Sequence, residues 1–197
     1  MDAGAQTGIR VVVIQGSVCP GNFTAKAAAL VVDELRKENI EVEVIDPAEL
    51  DLPFPGLDRS SDSPKVLRNA VAEATGVIFA TPEYHGTFSS VTKLVIENLG
   101  FPSVFSSKPV ALLGVAAGRI GAIKSLEQLR GVCSHLGALV LPSLVSVANV
   151  QGVFDAEGRC LDAGVEKQIR SVAANLLGYI HGYICPRVTL ERMVREQ

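Results

Sequence analysis

Two periodicities exchange along this chain, and their exchange constrains its fold more than any other feature. Short runs apolar at nearly every position alternate with longer stretches whose apolar residues recur every three to four positions. A strand covered on both faces has no polar side to show, and parallel strands need a crossover of a dozen or more residues, usually a helix. The pattern therefore predicts successive βαβ units. Residues 9–15 (IRVVVIQ) give the first strand, and 22–39 a helix with Ala25, Ala28, Ala29, Val32 and Leu35 at helical spacing. Residues 41–45 alternate charged and apolar side chains, as a half-exposed edge strand does. Residues 46–64, rich in Pro, Asp and Ser, predict a long surface loop, and 66–75 a short helix. A third strand over 76–80 (GVIFA) leads through TPEYHGTFSS into a helix over 90–99. The fourth, over 108–116 (KPVALLGVA), leads through AGRIG into a helix over 122–136. A short fifth strand over 138–141, an irregular stretch over 142–161 and a helix over 165–183, with Ile169, Val172, Leu176 and Ile180 on one face, complete the series.

The expectation is an α/β three-layer sandwich around a five-stranded parallel sheet in the order 2-1-3-4-5. No repeat or linker divides it, so one domain is predicted over 9–185, with a loose tail over 1–8 and a charged tail over 186–197. At 197 residues such a domain buries roughly 70% of the surface its unfolded chain exposes and needs no staple.

Charge and composition exclude several functions. A net charge of −3, with 18 Lys and Arg against 21 Asp and Glu and no basic run, gives nothing to follow a phosphate backbone, so no nucleic-acid partner is expected. The apolar runs fall short of the roughly 20 residues a membrane helix needs. The first residues lack the basic and apolar parts of a signal peptide. A soluble cytoplasmic protein is expected. Cys19, Cys133, Cys160 and Cys185 lie too far apart for the close pairs of a zinc site, and that compartment argues against disulfides.

Ligands of open parallel sheets bind outside the carboxyl ends of the strands, where neighbouring connections leave in opposite directions. In the predicted order that point lies between strands one and three. The first loop there, GSVCPGNFT, places Gly16, Ser17, Asn22 and Thr24 around a helix start, whose free N–H groups and dipole favour an anion such as a phosphate. It has neither the dinucleotide nor the triphosphate glycine pattern. Cys19 invites a phosphatase reading, but the Arg six positions later that low-molecular-weight tyrosine phosphatases need is Ala25 here. The second loop, TPEYHGTFS, offers main-chain groups and Tyr84 or Phe88 to a planar ring, with Glu83 and His85 as a conceivable acid/base pair or a surface feature. The third, AAGRIG, has small residues that allow close approach, and Arg119 could meet an anionic ring or phosphate.

Together GSVCPGNFT, TPEYHGTFSS and AGRIG resemble the NAD(P)H-dependent FMN reductase family of flavodoxin-like fold, which includes quinone, chromate and azo reductases; strand order and spacing agree over about residues 9–183. The resemblance implies FMN as cofactor and NADPH or NADH as co-substrate, with electrons passing to a small-molecule acceptor. By that likeness Gly16, Ser17, Cys19, Asn22, Phe23 and Thr24 belong to the phosphate side. Pro82, Glu83, Tyr84, His85 and Gly86 line the ring, with Ala117, Gly118 and Arg119 opposite. No catalytic side chain and no metal is implied. The family usually carries Arg at the place of Cys19, where it supports the phosphate, and more often Asn at that of His85. A homodimer or homotetramer is also implied, with the 142–161 segment or the loop after the second strand as contacts. Alternatives are a flavin-binding electron carrier without nicotinamide activity and a nucleoside-processing enzyme with Glu83 as nucleophile.

Overall fold

The computed structural model describes residues 8–57 and 60–195, the side chain of Arg192 excepted; most of the predicted tail over 1–8 and the last two residues lie outside the described residues. Three strands run through its middle: β1 (Arg10–Gln15), β3 (Gly76–Tyr84) and β5 (Pro109–Val115). With β2 (Glu41–Ile45) and β6 (Leu139–Val140) they form a parallel sheet in the spatial order β2-β1-β3-β5-β6, which is the expected 2-1-3-4-5 with the extra strand β4 (Thr87–Phe88) counted in the chain. The apolar residues of the central strands alternate between the two sides of the sheet. Val11, Val13, Ile78, Ala80, Ala111 and Leu113 meet α1 (Phe23–Lys37) and α5 (Ala163–Tyr179). Val12, Ile14, Val77, Phe79, Val110 and Leu112 meet α2 (Ser63–Glu73), α3 (Ser90–Asn98) and α4 (Ile123–His135).

Four differences from the sequence expectation have physical causes. The fifth strand is in two pieces: β6 pairs with Pro109 and Val110, the chain leaves the sheet at Pro142, which has no N–H to donate, and β7 (Val145–Val147) returns to pair with Leu113–Val115. The loop TPEYHGTFSS is largely a hairpin. β3 runs on to Tyr84, and β4 (Thr87–Phe88) pairs back antiparallel across His85 and Gly86, at φ +53° and +78°. Two consecutive left-handed residues are what a two-residue type I′ turn requires, and Asn-Gly is its usual sequence. The 142–161 segment is not free for a partner along its length, since Val147, Val150, Val153 and Phe154 are buried in the chain's own core. Finally, the expected charged tail is helical: α5 continues through a π-helical turn over 180–184 into α6 (Cys185–Arg195). Among the described residues no helix is long and apolar enough to cross a membrane.

Candidate active site

The connection from β1 to β2 and the connections onward to β3 leave on opposite sides, so the sheet has its switch point between β1 and β3. A cleft of about 390 Å³ lies at the carboxyl ends of these strands, lined by Cys19–Thr24, Pro82–Tyr84, Val115–Ala117, Val150 and Gln151. Of the expected residues, Cys19, Asn22, Phe23, Thr24, Pro82, Glu83, Tyr84 and Ala117 line it. Gly16 and Ser17 are buried outside its lining, His85 and Gly86 form the hairpin tip, and Gly118 and Arg119 stand exposed outside the lining.

Its first wall is the start of α1. Asn22 caps the helix, accepting from Ala25 N at 2.8 Å and donating to Cys19 O at 2.7 Å. No acidic residue sits in the first turn, so the positive end of the helix dipole is left uncompensated. The amides of Phe23 and Thr24 precede the first helical hydrogen bonds and are free for a ligand. Phe23 stacks on Phe154 with centroids 6.5 Å apart, while Lys26, one turn on, covers the Phe23 ring and donates to Asp155 O at 2.8 Å.

The hairpin makes the second wall and α4 holds it. Glu83 accepts from Ser125 N at 3.2 Å, supplying the cap that Ala122, at the start of α4, cannot. Gln128 donates to Gly86 O at 2.9 Å and accepts from the Thr87 hydroxyl at 2.7 Å. The Glu83 carboxylate is thus a fastening in the fold, and no His–Glu dyad forms around it among the described hydrogen bonds.

The third loop is pinned to the segment after β7: Asn149 N and Gly121 N both donate to Gly118 O, and Ala122 N donates to Ser146 Oγ at 2.8 Å. This brings in Val150 and Gln151, which sequence reasoning missed because 142–161 carries no periodicity. The available signal was Asn149, a residue type that tolerates the left-handed conformation it adopts at φ +48°. Among the described residues no group of His, Cys, Asp and Glu could hold a metal. The thiols are all free; Cys19 is exposed at the cleft, whereas burial pushes Cys133 up to about 12.

The sequence pattern of a family described as NADPH-dependent FMN reductase matches residues 9–152. An NAD(P)H-dependent FMN reductase of Pseudomonas aeruginosa is 31% identical over 159 residues, covering 78% of this chain and 85% of its own. A 2-hydroxy-1,4-benzoquinone reductase of a Burkholderia species is 27% identical over 171 residues, covering 83% and 91%. The solved structure of FerB, a flavoenzyme NAD(P)H:(acceptor) oxidoreductase from Paracoccus denitrificans, superposes with a TM-score of 0.74 at 20% identity, covering 89% of this chain and 98% of its own, a likeness of fold.

Proposed function

This chain belongs to the NADPH-dependent FMN reductase family, whose FMN-dependent reaction carries electrons from NAD(P)H to an acceptor, and from that premise we propose that its flavin site is the cleft between α1, the β3–β4 hairpin and the Ala117 loop. The donor set fits such a cofactor. A phosphate would find the α1 amides with the hydroxyl of Thr24. The planar ring would find small or apolar walls in Pro82, Val115, Ala116 and Ala117. Among the described residues no Lys or Arg lines the cleft, and those that do offer the phosphate neutral donors and the helix dipole.

Bound FMN would supply the hydride and electron transfer between nicotinamide and acceptor. The chain's own residues position and shield. Asn22 fixes the phosphate-side turn, Glu83 and Gln128 keep the hairpin seated on α4, and buried Val115 and Ala116 exclude water from the floor. Exposed Tyr84 and Ala117 flank the mouth, which nicotinamide and acceptor must share. The acceptor is of the quinone class, supported by the Burkholderia relative's name and by a mouth that, among the described residues, has no basic side chain to select an anion.

A homodimer fits a second surface. A groove of about 890 Å³ between α3 and α4 is lined by Phe88, Ile96, Val132 and Leu136, and Phe101, 97% exposed, stands at its rim. Knob and groove on one face are what a two-fold axis needs. The observation that carries the functional reading is the family match spanning all three walls of the cleft. Initial rates with NADPH and a benzoquinone test it: parallel double-reciprocal lines are expected, and intersecting lines contradict a shared mouth.

A further inference from the structure

Beneath the phosphate-side loop and the hairpin lies a chain of hydroxyl groups that touches neither solvent nor the cleft. Thr81 and Thr92 are 0% exposed and Ser89 is 4% exposed. The Ser89 hydroxyl donates to Gly16 O at 2.5 Å and accepts from Thr92 N at 3.0 Å. The Thr92 hydroxyl lies 3.0 Å from both Thr81 Oγ1 and Ser89 Oγ, and the Thr81 hydroxyl donates to Pro82 O at 3.1 Å. Gly16 N closes the circuit on Ala80 O at 2.7 Å. The first residue after β1 is thereby tied to the residue that begins the ring-side wall, through the side chains of Thr92 in α3 and of its cap Ser89. The space is filled: a Cβ on Gly16 would lie 2.2 Å from Thr92 Oγ1.

We propose that Ser89 and Thr92 are positioning residues that set the distance between the phosphate-side loop and the Pro82–Tyr84 wall, and so make the protein select a flavin carrying a phosphate. The inference rests on the flavin site proposed above. A phosphorylated flavin joins its phosphate and ring through one ribityl chain of limited length, so both ends are satisfied together only when the two walls keep their register. A flavin without the phosphate uses one wall and is indifferent to it. Ordinary stability would not distinguish these ligands. Thr92 separates the effect better than Ser89, because Thr92→Val keeps both the Ser89 hydroxyl and the Thr92 N–H that it caps.

The test is a pair of fluorescence titrations of the full chain, with FMN and with riboflavin, for wild type, Thr92→Val, Ser89→Ala and Thr92→Ser, each with its melting temperature. Wild type is expected to prefer FMN. Thr92→Val should weaken FMN by about tenfold, the effect of losing one buried hydrogen bond, with riboflavin changed less than about twofold. Ser89→Ala should act in the same direction, and Thr92→Ser should restore the preference. An unchanged ratio of FMN to riboflavin affinity in Thr92→Val, whatever its melting temperature, overturns the positioning role and leaves the site assignment standing. Wild-type protein that quenches neither flavin overturns both.

Discussion

Gly16→Ala is the sharpest single perturbation of the crevice between β1 and β3. The new methyl carbon would lie 2.2 Å from Thr92 Oγ1 and 2.9 Å from Ala80 O. Carbon–oxygen contacts tolerate about 3.3 Å. Thr92 must therefore swing by about 1 Å and release the hydrogen bond it donates to Thr81, at about 1 kcal/mol. Ala80 O cannot retreat, because it belongs to a buried strand and already accepts from Gly16 N. Overpacking of this kind adds about 1–3 kcal/mol, so a loss of about 2–4 kcal/mol is expected after partial relaxation. In a chain this long each kcal/mol moves the melting temperature by about 2–4 °C, which puts Gly16→Ala about 5–15 °C below wild type. Thermal unfolding of the flavin-free protein by circular dichroism reads it. Thr92→Ala, which removes the colliding oxygen, should make the double variant less destabilised than the two single losses added together, by about 1 kcal/mol. A Gly16→Ala protein that melts within about 2 °C of wild type would refute the close approach, and strict additivity would show that Thr92 is not the neighbour that matters.

Other outcomes follow from single residues. Cys19→Arg puts a guanidinium at an exposed position on a cleft that no Lys or Arg lines among the described residues; an ion pair of this kind brings about 1 kcal/mol near a surface, so FMN should tighten about fivefold in low salt, less at 1 M salt, and riboflavin should not change. Cys19→Ser should leave turnover at saturating FMN unaltered, and its loss would restore a nucleophilic thiol to consideration. His85→Val should destabilise by about 1–2 kcal/mol in denaturant titrations and His85→Asn by nothing measurable, because His85 is exposed and held at a positive φ that a β-branched residue resists. Asp33 is held below the usual carboxylate range by its hydrogen bond to Lys37 and then by Arg170. Its contribution is complete above about pH 4 and is lost as pH falls through the lower folded value, so Asp33→Asn should flatten the acid side of the stability curve.

The central strands were legible because burial on both faces keeps polar residues out of their middles, over 11–14, 77–80 and 110–113, as a covered parallel sheet requires. The α1 start was legible through Asn22, whose side chain does what its residue type suggests. The hairpin was hidden because His85 occupies a turn position that Asn usually marks, so the run read as loop. Glu83 looked like chemistry in the sequence and is a helix cap in the fold, a distinction set by Ser125, 42 positions away. Val150 and Gln151 gave no periodic signal, since their places depend on how β7 rejoins the sheet beyond Pro142. Arg119 was read toward the ligand and stands outside the cleft lining, and spacing within the AGRIG turn could not have said which way it faces.

The most direct measurement is anaerobic absorbance of the FMN-loaded chain mixed with NADPH and then with a benzoquinone. Bound flavin should lose its visible band on the first addition, to completion with one equivalent, and regain it on the second. Flavin that remains bound and yellow with NADPH and NADH alike would contradict a reductase and leave an electron carrier in its place.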